Sequence, residues 1–413
     1  MTPGLAAYRA ATAVGHPLVA PWLRRRLAAG KEDPDRWREK LGVPGRERPP
    51  GALAWLHGAS VGEALSLVPL AEALRNRPNA PAVLVTSGTR ASAELLAARL
   101  PPGAIHQFAP LDTPQATSRF LNHWRPDLAV FAESELWPNL ILGARRRGTR
   151  TALVSAKLSA ASLAGWRRAP AAARAVLGAF DLILARDPAA AQGLRSLGAR
   201  VDGLADLKFG APPLPANDDA LAAARAILGD RPLILAASTH EGEDAAILEA
   251  FAPSRSLARL VIAPRHVERG PSIAALAREA GVTTALRSGE PVVAPEVLVA
   301  DTLGELGLWY RLATLAVIGG GFVDGPGGHN PLEPARLGCP FVSGSRVGNW
   351  PVFHDLAAAG ATRLVETAEL AALIAQATAG DCASPSMARN ARAFVEAGDF
   401  AARAAIPRIL ALL

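Results

Sequence analysis

Residues Leu315 to Gly338 read LAVIGGGFVDGPGGHNPLEPARLG. The apolar run Leu315–Ile318 has the length and character that a strand buried on both faces requires. Gly319, Gly320 and Gly321 follow, then Gly325, Gly327 and Gly328 around Pro326. So many glycines permit positive φ and let a ligand approach bare backbone N–H groups. The loop then delivers His329, Asn330 and Glu333 to a helix start marked by Pro331 and Pro334. Were Asn330 the N-cap, Pro334 would fall at N4, where an intrahelical N–H is needed. The spacing therefore puts Pro334 at N1 and Glu333 at the N-cap. Strand, glycine loop and helix start form the anion and nucleotide cradle of an α/β sheet. A plain tight turn with a helix cap carries the same signature.

Outward from this stretch, short apolar runs alternate with alanine-rich helical segments. Strands are expected near Leu53–His57, Val83–Thr86, Leu128–Phe131, Thr151–Val154 and Leu182–Ala185. A second series is expected near Leu233–Ala237, Leu260–Ala263, Val297–Ala300, Leu315–Ile318 and Pro340–Ser343. Alternation at this spacing means parallel strands with crossover helices. The stretch PPLPANDD, Pro212 to Asp219, cannot continue an element and marks the joint between two domains. The expected division is an N-terminal segment 1–45, a first domain 46–211 and a second domain 212–413, both α/β and doubly wound, facing across a cleft.

With 413 residues, half of them hydrophobic, the chain has material for two cores. The formal charge of +7 favours an acidic partner such as anionic lipid, phosphorylated sugar or nucleotide. Nucleic acid is not expected, because aromatics interleaved with the basic patches are scarce. Cys339 and Cys382 are the two cysteines, in no motif spacing, so neither a disulfide framework nor a zinc site follows. No signal peptide or spanning segment is expected. At the N-terminus, Leu18, Val19, Trp22, Leu23 and Leu27 precede Arg24–Arg26, Lys31, Arg36, Arg38 and Lys40 or interleave with them. This pattern suits a helix at an anionic membrane surface; a soluble arm packed on the next domain is the alternative.

Four further stretches end strands with chemistry-bearing residues. HGASVGE, His57 to Glu63, pairs Ser60 with Glu63 as a capping box, and equally places a carboxylate where α/β sheets bind ligands. FAESELWPNL, Phe131 to Leu140, brings Glu133 and Glu135 to the same kind of position, with Trp137 and Pro138 as a rigid stop. ASTHEGED repeats the capping spacing with Ser238 and Glu241, and Ser238 with Thr239 could hold a phosphate. IAPRHVERG offers Arg265 and His266 at a strand end, while Glu268 and Arg269 read as solvated charge. The chain has no GxxxxGK[ST], HExxH or CxxC motif.

Taken together, these stretches resemble the Kdo (3-deoxy-D-manno-octulosonic acid) transferases. The runs carrying the resemblance are HGASVGE, FAPLDTP, RPDLAVFAESELWPNL, DLKF, ASTHEGED, IAPRHVERG, DTLGELGLWYRLA and GGHNPLEPA, in order from residue 57 to 335. The resemblance implies a GT-B glycosyltransferase that moves Kdo from CMP-Kdo to a lipid A precursor with inversion, in lipopolysaccharide synthesis, and without a metal or other cofactor. It implies Glu63 as general base and Glu133 or Glu135 as a second functional acid. It assigns the nucleotide to Ser238, Thr239, Arg265, His266, Gly320, Gly321, Asn330 and Glu333, with Glu333 taking the ribose hydroxyls. Ser60 joins the substrate set, and Lys208 of DLKF is the candidate partner for Kdo's carboxylate. The implied place is the cytoplasmic face of the bacterial inner membrane. The sequence departs from the family at its N-terminus, which Arg9 and prolines interrupt, at Lys157 in place of arginine, and at Asp206 in place of asparagine. A GT-B enzyme using a UDP-sugar, or a non-enzymatic nucleotide or nucleic-acid binder, would share the double sheet.

Overall fold

The computed structural model describes residues 2–289, 294–380 and 384–413, so Cys382 lies outside the described residues. The chain divides into two compact units, Met1–Ala211 with Gly398–Leu413, and Pro212–Ala397. The joint falls where the proline-rich stretch begins.

The first unit is built on a seven-stranded sheet. Its strands are β1 (Leu53–His57), β2 (Ala82–Ser87), β3 (Ile105–Phe108), β4 (Leu128–Ala132), β5 (Arg150–Ala156), β6 (Leu182–Ala185) and β7 (Gly203–Leu204). They run in the order β3-β2-β1-β4-β5-β6-β7, and every pairing is parallel. β1 and β4 are buried at every position, as strands covered by helices on both faces must be. One face packs Trp55, Phe120, Trp124 and Phe131; the other packs Leu56, Leu70, Val85 and Val130.

The second unit repeats the plan. Its strands are β8 (Leu233–Thr239), β9 (Arg259–Pro264), β10 (Thr284–Leu286), β11 (Val297–Val299), β12 (Leu315–Ile318), β13 (Phe341–Ser343) and β14 (Arg363–Leu364). The order is β10-β11-β9-β8-β12-β13-β14, again wholly parallel. In each sheet the connections lead away in both directions from a central pair, β1 with β4 and β8 with β12, except that β11 returns to lie between β9 and the edge strand β10. Ligands of doubly wound sheets bind beyond the carboxyl ends of such a pair.

Two expectations about domains need correction. Residues Gly398–Leu413, expected in the second domain, belong to the first unit. The helix Ser384–Leu410 buries Ala402, Ala405 and Ile409 in the first core, a stripe at helical spacing. The expected separate segment 1–45 is also part of the first unit. Its helix, Pro3–Ala28, is fastened by a polar row: the Tyr8 hydroxyl donates to Asp112 at 2.9 Å, Thr12 Oγ1 accepts from Asn139, and His16 Nδ1 lies 2.8 Å from Thr113 Oγ1. The other face leaves Val14 81%, Leu18 72% and Trp22 48% exposed. Among the described residues no helix is long and apolar enough to cross a membrane.

Candidate functional site

The first unit gathers carboxylates and lysines at the carboxyl ends of β1, β4 and β5. Ser60 caps the short helix Val61–Ser66 and forms a complete capping box with Glu63. The box occupies one carboxylate oxygen only: Glu63 Oε2 accepts Ala59 N–H at 2.8 Å and Ser60 N–H at 3.4 Å. The structural and chemical readings of HGASVGE are therefore compatible, because the cap fixes the carboxylate while Oε1 keeps its acceptor capacity. Burial, and then the charges of Glu135 and Glu133, push the Glu63 carboxyl above the ordinary carboxylate range.

Glu133 and Glu135 have different partners. Glu133 follows β4 with φ 57°, and Ser155 at the end of β5 has φ 51°. Non-glycine residues enter this region at an expense of about 1–3 kcal/mol each, which marks sites where side-chain placement is over-determined. Glu133 is buried and held by two ammonium groups, Lys157 Nζ at 2.8 Å and Lys208 Nζ at 2.5 Å. Burial alone would raise its carboxyl, but Lys208 and Lys157 outweigh burial and hold it below the ordinary value. The backbone supports Lys208 in turn: Ser155 Oγ accepts Leu207 N–H at 2.8 Å, and Asp206 Oδ1 accepts Lys208 N–H at 3.0 Å. Lys208 is thus paired to Glu133, a contact the sequence reading did not foresee.

Glu135 belongs to a buried chain of donors and acceptors. The Trp55 indole donates to Thr86 Oγ1 at 2.9 Å, and Thr86 Oγ1 lies 2.9 Å from His57 Nδ1. His57 Nε2 is 3.2 Å from Glu135 Oε2, which also accepts the Trp137 indole N–H. A carboxylate only accepts, so the His57 proton sits on Nε2. Burial raises the Glu135 carboxyl, but hydrogen bonding and charge from His57 outweigh it and leave it lowered. Glu133 and Glu135 therefore stay ionised, and their charges act on Glu63.

The second unit brings its expected residues to the ends of β8, β9 and β12, with several roles changed. Ser238 sits in a bulge of β8 with φ 58°. The expected Ser238–Glu241 capping box does not form: the helix Glu243–Phe251 starts four residues later than that box requires, with Gly242 as its N-cap. Thr239 is buried, and its hydroxyl donates to Asp244 Oδ1 at 2.6 Å, so it is committed within the protein. Asp244 also pairs with Arg269, whose Nη1 donates to Thr239 O at 3.1 Å. Arg269 is therefore a brace between turns, not the solvated charge expected; Glu268 is solvated as expected.

The glycine loop is closed from inside. Glu243, 1% exposed, accepts Gly320 N–H at 2.8 Å, Phe322 N–H at 3.1 Å and His240 N–H at 2.9 Å. The Gly320 amide expected to meet a phosphate is thus already paired. Close packing explains the glycines: a Cβ on Gly319 would lie 2.7 Å from Ser238 O, and one on Gly321 would lie 2.6 Å from Ser343 Oγ. Glu333 also differs from expectation. The helix Leu332–Leu337 has Pro331 as N-cap, which puts Glu333 second and Pro334 third, where no intrahelical N–H is required. Asn330 Oδ1 accepts Leu332 N–H at 3.1 Å, and its Nδ2 donates to Glu333 Oε1 at 3.2 Å.

What remains open to a ligand is a cationic and imidazole cluster. Arg265 directly follows β9; it is exposed and makes no side-chain hydrogen bond or ion pair among the described residues. His240 Nε2 and His329 Nε2 lie 2.8 Å apart with the rings nearly parallel, and the His266 ring is 6.0 Å from that of His240. Burial, then the neighbouring His240, Arg265 and His266, push His329 down to about 4. Neutral His329 can therefore share one proton with His240. Ser238, Arg265, His266, Asn330 and Glu333 come into this unit's strand-end loops as expected. Among the described residues, no group of three or more histidine, cysteine, aspartate or glutamate residues could hold a metal.

Residues 35–211 match the family model described as 3-deoxy-D-manno-octulosonic-acid transferase (kdotransferase). The chain is 37% identical over 367 residues to 3-deoxy-D-manno-octulosonic acid transferase of Bordetella pertussis, covering 82% of either protein. The chain belongs to the Kdo transferase family. It is also 35% identical to the probable mitochondrial Kdo transferase of Arabidopsis thaliana, over 83% of this chain and 80% of that one. Among solved structures, the UDP-GlcNAc 2-epimerase of Neisseria meningitidis is similar with TM-score 0.59 at 14% identity, covering 84% of this chain and 99% of that one. A glycosyltransferase from Rickettsia africae is similar with TM-score 0.58 at 10% identity, covering 88% and 99%. These two likenesses show the fold, the GT-B class of paired parallel sheets. Sequence reasoning about this Kdo transferase missed His57, Lys157, His240 and Glu243 as site builders. Their one common signal is position, within a few residues of a strand end at the centre of a sheet.

Proposed function

We propose that this glycosyltransferase moves Kdo from CMP-Kdo to a hydroxyl of a lipid A precursor, with inversion and without a metal. Glu63 Oε1 takes the acceptor's proton as the hydroxyl oxygen bonds to the anomeric carbon. The bond from that carbon to the CMP phosphate oxygen breaks on the opposite face, and CMP leaves. The observation that carries this reading is the pairing of roles in the first unit. Glu63 is a half-anchored carboxylate with a raised pKa, beside acids kept ionised by Lys157, Lys208 and His57. General-base assistance of this kind is worth about 10²–10⁴-fold. Two ammonium groups around Glu133 exceed its single charge and offer the surplus to Kdo's carboxylate. Arg265, Ser238 and the histidines of the second unit supply donors for the CMP phosphate, which take the place of a metal.

The membrane surface is the second part of the proposal. The helix Pro3–Ala28 presents Val14, Leu18 and Trp22 outward, with Arg26 5.0 Å above the Trp22 ring and Arg24 and Arg25 exposed beside it. An apolar face bordered by arginines suits the cytoplasmic leaflet of the inner membrane, where anionic headgroups attract it. Thermal shifts with CMP, CDP, UMP and UDP test the donor assignment. Stabilisation by CMP above the others supports it; preference for UDP would instead favour a UDP-sugar enzyme. Transfer from CMP-Kdo to a lipid A precursor, read by product mass, tests the acceptor.

A further inference from the structure

The first unit contains a cavity that none of the carboxylates at the strand ends lines. Its volume is about 680 Å³, within the roughly 300–1,000 Å³ of small-molecule sites. It lies beside β3, the edge strand of the first sheet, under the segment that follows the N-terminal helix. The strand's outer edge is sealed at two points: Arg36 Nη2 donates to His106 O at 2.9 Å, and Glu39 Oε2 accepts Phe108 N–H at 2.7 Å. Addition of a peptide strand is thereby disfavoured, and the space suits a discrete small molecule.

Three features define its occupant. The first is Gln107, 1% exposed and part of the lining. The Trp124 indole donates to Gln107 Oε1 at 2.9 Å. An indole N–H only donates, so the amide cannot turn over, and the NH₂ is necessarily its other end. That Nε2 is buried and has no hydrogen-bond partner among the described residues. Folded proteins seldom leave a buried donor unmet. The second feature is the rim. Arg38 and Arg46 line the cavity, are exposed, and have no carboxylate partner among the described residues, whereas Arg36 in the same wall is paired to Glu39 at 3.0 Å. The third is the apolar wall, formed by Leu96, Leu100 and Ile105.

We propose that this cavity binds a phosphorylated amphiphile. Its phosphate lies on the Arg38 and Arg46 rim, a phosphoryl or ester oxygen accepts from Gln107 Nε2, and its chain covers Leu96, Leu100 and Ile105. Guanidinium groups are the side chains best matched to phosphate oxygens. The chemistry is the same whether the amphiphile is a lipid or a soluble alkyl phosphomonoester. The inference is independent of the transferase reading, because no residue assigned to transfer lines the cavity.

The test is calorimetric titration of the full chain with hexyl phosphate, with inorganic phosphate, and with hexan-1-ol. Expected is one hexyl phosphate per chain, bound at least tenfold more tightly than inorganic phosphate, with no measurable binding of the alcohol. The exposed pair Arg38→Ala with Arg46→Ala should retain the thermal midpoint and weaken hexyl phosphate at least fivefold. Gln107→Glu keeps the acceptor for Trp124 but turns the free end anionic, and should weaken it by a similar factor. Equal affinity for inorganic phosphate and hexyl phosphate would overturn the amphiphile, pointing to a site for free phosphate. Unchanged binding in the double arginine variant, or no binding of hexyl phosphate to the wild type, would overturn the site itself. Competition by vesicles containing phosphatidic acid, absent with phosphatidylcholine, would assign the ligand to a lipid; lack of competition would assign it to a soluble phosphomonoester.

Discussion

The carboxylate of Glu243 accepts the backbone N–H of Gly320 at 2.8 Å, so the turn after β8 holds the glycine loop after β12 from within. The same side chain accepts Phe322 N–H on Oε1 and His240 N–H on Oε2, so both oxygens of this buried carboxylate are engaged. Glu243→Gln turns an NH₂ against one or more of these donors. It should cost about 1–3 kcal/mol of stability in the second unit. It should also raise the KM for CMP-Kdo several-fold, with a smaller change in kcat. Steady-state kinetics beside a thermal melt decides this; unchanged KM in a destabilised protein would reduce Glu243 to a packing residue.

Glu135 should tune Glu63 through charge. After burial, the Glu135 carboxylate is the largest cause raising the Glu63 carboxyl, and a raised carboxyl must lose its proton before it can act as a base. The acid limb of the kcat/KM profile should therefore lie above the ordinary carboxylate range. In Glu135→Gln the limb should move to lower pH, since one of the raising charges is gone. A limb that stays in place would assign the acid-side titration to another group.

Stability should fall in mild acid. Burial, and then Arg36, push His106 down to about 4, and His329 is likewise held at about 4. The unfolded chain has both near 6.5, so between about pH 4 and 6.5 it binds more protons than the fold. The stability these neutral rings contribute is complete above 6.5 and is lost as pH falls toward 4. His106→Asn should flatten the decline of the first unit's melting midpoint across that window. An unaltered slope would show that other groups govern the acid response.

The N-terminal helix should bind anionic vesicles through its apolar face. Val14→Ser with Leu18→Ser should weaken binding about tenfold or more, because a buried Val or Leu is worth roughly 1.5–3 kcal/mol. Raised salt should weaken it further through the arginines. Co-sedimentation with vesicles of mixed zwitterionic and anionic lipid measures both effects. Binding that ignores both the substitutions and the salt would remove this helix as the membrane contact.

Strands that run apolar throughout were legible as elements. Leu53–His57, Leu182–Ala185 and Leu315–Ile318 coincide with β1, β6 and β12. β3 was missed because His106 and Gln107 interrupt its pattern, and β7, β10 and β14 because two or three residues carry no period. At the site, Glu63, Arg265 and Asn330 stood out because each follows an apolar run directly or closes a glycine turn. Lys157, Glu133 and Lys208 meet only because β4, β5 and the turn at Leu207–Gly210 converge, and no local spacing encodes that. Glu243 was hidden by the bulge at Ser238, which delays the helix start and transfers the capping role from Glu241 to a loop clamp. The placement of Glu333 failed on two residues of helix phase, since Pro334 is as acceptable at N3 as at N1.

The proposed transfer depends above all on Glu63 removing the acceptor's proton. The direct measurement is single-turnover transfer of Kdo from CMP-Kdo to a lipid A precursor by purified Glu63→Gln, with CMP affinity and thermal midpoint recorded on the same sample. An intact melt and unchanged CMP binding are expected, with transfer lowered by about 10²–10⁴-fold. Near-normal transfer by the folded variant would contradict it.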